Sequence, residues 1–248
     1  MEFDFIRFAV IAAALSVGAL VKGATGMGLP LVALPFMTTF FGLQHSIAIL
    51  TLPIIYTNVW QVWRHRDQWN GPRMAFMPLF LIGGFIGIIV GTMLLTSLPE
   101  RLLVLVLGVI LIAYVALRLI APQLSVGPVM AQRAGPIAGL GAGLLQGATG
   151  ISAPIGVTFI HAMALERAAL IFAVSAMFLL FAFTQLGSLS VAGVMTWPHL
   201  LESIVALIPI FIFLPLGQRL TEKLSREAFD RVLLTLLGVM GLKMVLGL

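Results

Sequence analysis

The stretch KGATGMGLP, residues 22–30, breaks an apolar run long enough to be buried in lipid, and QGATGISAP makes the same kind of break at residues 146–154. In hydrocarbon each unpaired backbone N–H or C=O costs several kcal/mol, so only helices and closed barrels cross a bilayer. A helix that stops inside one leaves carbonyls without partners, and a helix that starts there leaves amides without them. A chain that makes this interruption twice, with matching residues, is held to a fold that compensates both breaks in the same way.

The surroundings place the breaks in a membrane protein. Hydrophobic residues are 60% of the chain and charged residues 9%, against roughly a quarter charged in soluble domains. Apolar runs fall at about 5–24, 29–41, 46–63, 73–96 and 100–120, then at about 134–147, 153–163, 167–188, 197–220 and 228–247. Several reach the roughly 20 residues a helix needs to span about 30 Å, whereas 29–41 and 153–163 do not. The runs are continuous rather than alternating, which argues against the strands of a barrel. The expected class is all-α and polytopic, with about 8–10 membrane segments. The absence of cysteine excludes disulfides, thiolate metal sites and cysteine nucleophiles. The opening MEFDFIRF is acidic where a secretory signal is basic, so the first run is expected to remain in the mature protein. A net charge of +5 would suggest nucleic acid in a soluble chain, but here the basic residues gather in short loops such as RHRDQWNGPR. Their expected role is orientation in the membrane, with no nucleic-acid partner.

Setting residue 22 against residue 146 aligns Gly23 with Gly147, Ala24 with Ala148, Thr25 with Thr149, Gly26 with Gly150 and Pro30 with Pro154. Farther on GLQHS aligns with ALERA, and VGTMLLTSLPERLL resembles PLGQRLTEKLSREA. The chain reads as two five-segment repeats, 1–121 and 134–248, joined by a linker at 122–133 that is rich in proline and glycine. The loop after the third segment holds Arg64, Arg66 and Arg73 in the first repeat, while its counterpart GSLSVAGVMTWPH holds no lysine or arginine. The next loop reverses the bias, with Arg101 in one copy and Arg219, Lys223 and Arg226 in the other. By the positive-inside rule the repeats are inverted, with the N-terminus and 187–198 outside and 64–73 and 219–226 inside. Inverted repeats with broken helices are a transporter architecture whose substrate sits near the midplane.

At each break the glycines permit a sharp reversal, and Pro30 and Pro154 suit the first turn of a new helix. The amides around Met27 to Leu29, including Gly28, and around Ile151, Ser152 and Ala153 would then face inward. Two helix N-termini converging on one place make an anion site. Lys22 adds a charge, Gln146 a neutral amide, Thr25 and Thr149 hydroxyls, and Gln61 and Gln185 reach in from the third and eighth segments. With Gly23, Gly26, Gly147 and Gly150 these residues form the expected substrate site. By contrast, Gly83, Gly84, Gly87 and Gly91 in GGFIGIIVG have the spacing of close helix packing. The four histidines lie near segment ends and read as interfacial. The acidic residues lie in loops or near segment ends, leaving no midplane carboxylate to bind a coupling ion.

The paired KGATGMGLP and QGATGISAP motifs, with LGQRLTEKLSREAFDRVLLTLLGVMGL after them, resemble the sulfite exporter TauE/SafE family of bacterial permeases, within the toluene-sulfonate uptake permease superfamily. The resemblance covers nearly the whole chain. It implies a multi-pass transporter of the bacterial cytoplasmic membrane with about eight helices, carrying sulfite, sulfonates or related sulfur anions. The family is commonly glycine-rich here, whereas this chain intersperses Ala24, Thr25, Ala148, Thr149 and Ser152. The expected function is export of sulfite or a small organosulfonate by alternating access, with an anion channel or an uptake permease as the alternative. The expected partners are the anion and the bilayer, with a homodimer allowed, and no cofactor or metal is implied. GISA superficially resembles an intramembrane serine protease motif, but Ser152 aligns with Gly28 and the histidines lie near the membrane surfaces, so no enzyme is expected.

Overall fold

The computed structural model describes residues 5–26, 28–71, 73–120, 125–220 and 226–247. The described residues form helices joined by short turns and contain no strand. The helices are α1 (Phe5–Thr25), α2 (Leu29–Phe41), α3 (Leu43–Arg64), α4 (Met77–Ser97), α5 (Glu100–Ile120), α6 (Pro128–Thr149), α7 (Gly156–Ala162), α8 (Arg167–Val191), α9 (Trp197–Val205), α10 (Leu207–Leu220) and α11 (Arg226–Leu246), with a 3₁₀ turn at Arg66–Asn70. Among the described residues six helical stretches are long and apolar enough to cross a membrane, counting α9 and α10 as one.

Prolines account for three departures from the apolar runs. α6 begins at Pro128, inside the expected linker, because proline fits a first helical turn whose N–H would have no partner; residues 122–124 of that linker lie outside the described residues. α7 begins at Gly156 rather than near 153, since Pro154 falls in a turn that precedes the helix. The run 197–220 divides at Ala206, where Pro209 has no N–H for the Val205 carbonyl and its ring crowds that carbonyl. A fourth proline, Pro53, leaves the Ile49 carbonyl without its usual partner inside α3. Ser203 of α9 repairs the gap: its hydroxyl donates to Ile49 O at 2.7 Å and accepts from Leu52 N at 3.2 Å.

Each short helix doubles back on its predecessor. Gly18 of α1 lies against Leu29 and Ala33 of α2, and Gly156 of α7 lies against Ala142 of α6. The α1–α2 hairpin ends where Leu43 N meets the Glu100 carboxylate at 2.5 Å, beyond the C-terminal end of α4. The α6–α7 hairpin ends where Ala162 O accepts from Val126 N at 2.7 Å and Ala164 O from Arg73 at 2.8 Å, before the N-terminal end of α4. The bases of the two hairpins therefore sit at opposite ends of α4, a helix of 21 residues and about 32 Å.

Helix pairing is preserved when the two halves are exchanged. α1 packs on α10 as α6 packs on α4, α2 on α3 as α7 on α8, while α3 meets α8 and α5 meets α11 across the middle. Small residues set the closest pairs. Gly83, Gly87 and Gly91 meet the carbonyls of Pro136, Leu140 and Leu144 in order, so α4 and α6 run parallel; Gly139, Gly143 and Gly147 meet Phe80, Gly84 and Ile88 in return. Gly84 also faces the Phe181 ring of α8. A Cβ on Gly91 would lie 2.9 Å from Gly147 Cα, and a Cβ on Gly23 would lie 2.9 Å from Gly217 Cα. Backbones this close admit no side chain between them, the packing that replaces hydrophobic driving force in lipid.

Candidate functional site

At the first break α1 ends at Thr25, Gly26 turns at φ 80°, and its amide donates to Lys22 O at 2.7 Å. The Thr25 hydroxyl donates to Val21 O at 2.8 Å, occupying another end carbonyl. Gly28, at φ 103°, opens α2, with Pro30 in the first turn. Met27 lies outside the described residues. Lys22, in the last turn of α1, is 3% exposed, and its amine donates to Asn58 Oδ1 of α3 at 2.8 Å. Asn58 is oriented for this because its Nδ2 donates to Ile54 O at 2.7 Å. The Phe178 ring of α8 lies 5.8 Å from the amine. No carboxylate among the described residues pairs with Lys22.

The second break repeats the helix ending, with different chemistry, but not the immediate restart, since Pro154 lies in the turn before α7. α6 ends at Thr149, whose hydroxyl donates to Leu145 O at 2.7 Å, and Gly150, at φ 75°, donates to Gln146 O at 2.7 Å. Gln185 of α8 serves the open carbonyls at the buried end of α6: its Nε2 donates to Gln146 O at 3.2 Å and lies 3.5 Å from Gly147 O. Its Oε1 accepts from Gln146 Nε2 at 2.8 Å. The chain then turns through Ile151 and Ser152, both buried, and Ser152 O accepts from Gly156 N at 2.7 Å.

Three buried side-chain oxygens have no hydrogen-bond partner among the described residues: Gln146 Oε1, Ser152 Oγ and Thr92 Oγ1. Native interiors leave few such groups, and each points to something that completes it. Gln146 and Ser152 belong to the second break, and the Thr92 backbone packs against Gly147, its amide 2.8 Å from where a Gly147 Cβ would be. Of the three, Gln146 lines a small cavity, together with Leu34, Leu50, Ile54, Gly150 and Gln185 among others. Its interior of about 10 Å³ holds roughly one water.

The structure thus brings Gln146, Gly150 and Gln185 to one cavity. Lys22 sits one helical turn away, through Asn58 next to Ile54 on α3 and through Phe178 next to Ala182 on α8. Gln61, one turn beyond Asn58 on α3, does not line this cavity and accepts from Ser175 of α8 at 2.9 Å. Gly23 and Gly147 lie in the close helix contacts, and both threonine hydroxyls donate within their own helices. Asn58 and Thr92 escaped the sequence reading. The signal for Asn58 was a lone amide deep in an apolar run, three residues before Gln61 and so on the same helical face.

These features define a polytopic helical membrane protein with buried polar side chains where α1 and α6 end and the chain turns back. The model of the sulfite exporter TauE/SafE family matches residues 10–244, nearly the whole chain, and the protein belongs to that family. The family is one of membrane exporters of sulfite and related sulfur anions. No curated protein and no solved structure matches the chain significantly.

Proposed function

We propose that this protein exports sulfite or a small organosulfonate across the bacterial cytoplasmic membrane by alternating access, holding the anion between Lys22 and the second break. The observation that carries this reading is the buried Lys22, whose described partners are a neutral amide and an aromatic ring. A basic group inside a membrane span without a carboxylate is costly and marks a substrate path. The anion supplies the missing counter-charge, and the first-turn amides of α2 and the chain at Ile151–Ser152 supply directed N–H groups.

The exchangeable helix pairing supports reading the halves as inverted repeats, the hairpins entering from opposite faces with the N-terminus outside. The breaks differ in cover: Lys22 apart, residues 23–26 are half-buried and Gly26 faces open space, while Gly150 is packed against Leu34 and Ile47. Alternating access is the exchange of these two environments, with α3 and α8 carrying the partners of both breaks. Gln185 and Asn58 would then release and reform their bonds as anion enters. A channel would require an open passage, and the water-sized cavity favours an occluded carrier instead. Ser152 makes no hydrogen bond to a histidine, the arrangement a serine nucleophile uses.

The test is flux from proteoliposomes containing this chain alone, with sulfite, sulfate, sulfoacetate, taurine and plain carboxylates as alternative substrates. Saturable flux of sulfite or a sulfonate is expected. Equal flux of carboxylates would remove the sulfur-anion assignment, and flux far above carrier turnover would replace the carrier with a channel.

A further inference from the structure

The start of α3 is tied to α9 by side chains that the anion site does not use. His45 and His199 meet edge to face, ring centroids 4.6 Å apart at 73°. His199 Nε2 lies 2.9 Å from His45 Nδ1, and His45 Nε2 lies 2.7 Å from Glu202 Oε2. At the other end His199 Nδ1 is 2.9 Å from the Thr196 hydroxyl and 3.4 Å from the Thr196 amide, closing the N-terminus of α9. The residue after Glu202 is Ser203, which bridges the Pro53 gap in α3. Short α9 thus grips α3 at His45 and again one and two turns on, and Ala206 separates it from α10.

We propose that His45, His199 and Glu202 form a single proton-binding site that clamps α9 onto the start of α3, and that proton uptake tightens the clamp. The proton positions follow from the partners. The Thr196 amide can only donate, so His199 Nδ1 accepts and the His199 proton sits on Nε2. That proton is donated to His45 Nδ1, which leaves the His45 proton on Nε2 facing the Glu202 carboxylate. One proton on each ring satisfies each of these contacts.

A further proton on His45 Nδ1 would oppose two donors unless the His199 proton moves from Nε2 to Nδ1. With that shift His45 becomes an imidazolium donating to both His199 Nε2 and Glu202, and His199 Nδ1–H donates to the Thr196 hydroxyl, which can accept. A second added proton would set two N–H groups face to face. The site therefore takes one proton, shared by two rings, and turns the bond between neutral His45 and the Glu202 carboxylate into an ion pair. The shift ends the 3.4 Å bond from the Thr196 amide and leaves that amide facing the His199 Nδ1–H, the cost that the ion pair must exceed.

Among the described residues the charged group facing the start of α3 from α5 is Glu100, which accepts from Leu43 N; from α2 the Phe41 ring, 5.9 Å from His45, is neutral. The site reaches past the surface because α3 also supplies Leu50, Thr51 and Ile54 to the cavity wall. A proton bound at one end of α3 stiffens the same helix that frames the anion site.

The experiment does not depend on which anion is carried. Protein with isotopically labelled histidine, in nanodiscs, is titrated by NMR from about pH 5 to pH 8.5. His45 and His199 are expected to change together at one midpoint with a total uptake of one proton. Glu202→Gln should move that midpoint while His65 stays unchanged, and His199→Gln should leave His45 titrating alone. Exchange protection of α9 amides, corrected for the intrinsic effect of pH, should rise about tenfold below the midpoint. Independent titration of the two rings, a Glu202→Gln midpoint equal to the parent's, or α9 protection that does not change with pH would each overturn the proposal.

Discussion

Replacing Lys22 with Gln, the residue that the second break carries at 146, separates what the lysine does for the anion from what it does for the fold. The wild-type amine is buried, bonded to Asn58 Oδ1 at 2.8 Å and without a carboxylate among the described residues. A glutamine amide can still donate to Asn58, so the variant should fold with unchanged or slightly raised thermal stability. A charge-assisted hydrogen bond contributes about 1.5–3 kcal/mol, so anion affinity should fall roughly ten- to hundredfold at 1.4 kcal/mol per decade. Asn58→Leu does the reverse, stranding a buried amine at a cost of about 1–3 kcal/mol or more. The double variant Lys22→Met with Asn58→Leu removes both partners and should recover most of that stability, because exchanging a buried polar pair for apolar groups is often near neutral. Purified variants that elute normally are measured by calorimetry for sulfite or methanesulfonate and by thermal unfolding. A Lys22→Gln protein with parental affinity would refute the reasoning and leave the helix ends to hold the anion alone. A double variant as unstable as Asn58→Leu would show that Asn58 is needed for something other than Lys22.

The equivalent glycine contacts should fail in the same way. Gly91→Ala and Gly23→Ala each place a Cβ 2.9 Å from a facing Cα, so the helices must part by roughly 0.5–1 Å; each should lower stability by about 1–3 kcal/mol, read by thermal unfolding, and Gly127→Ala, with open space around it, should not. Ser203→Ala removes the group that serves Ile49 O and Leu52 N and should cost about 1–3 kcal/mol, read in the same unfolding assay. Single cysteines at positions 66 and 190, in a chain with none of its own, should react with an impermeant thiol reagent from opposite faces of intact cells; labelling from one face would end the inverted-repeat reading. Export should rise with an inside-negative potential, which supplies about 2.3 kcal/mol per charge per 100 mV, and strict dependence on an imposed sodium gradient would contradict a uniporter.

The breaks were legible because lipid leaves no other way to write them. Ending a helix in hydrocarbon demands glycine at the reversal, and Gly26 and Gly150 take positive φ as the repeated GATG implied. The glycines of GGFIGIIVG were legible for a related reason, since spacing alone puts Gly83, Gly87 and Gly91 on one face. What the sequence could not show is which side chains meet across helices. Lys22 was visible as an isolated charge, but its choice of Asn58 over Gln61 depends on the rotation of α3 against α1, and Thr92 is drawn to the site by the α4–α6 glycine contacts. Pro30 opens α2 as expected, but Pro154 lies in the turn before α7, Pro128 begins a helix inside the expected linker, and Pro209 divides a run that looked continuous. The histidines appeared interfacial one at a time, and only the fold sets His45 beside His199.

The exchange of partners between the halves has a consequence for how such a chain is made. α1 and α2 leave the ribosome early, but the glycine-lined surface of α1 finds its match in α10, which is synthesised near the end. α4 must likewise wait for α6, and α5 for α11. The first half is therefore inserted with its closest-packing faces unfilled, and its small residues meet lipid rather than a neighbouring backbone. Completion is a late, long-range event of the kind that folds slowly and tolerates interruption badly. A ribosome that stops after the first repeat leaves in the membrane a set of helices whose proper partners exist only in the unwritten half, and two such fragments could satisfy each other only by imitating it.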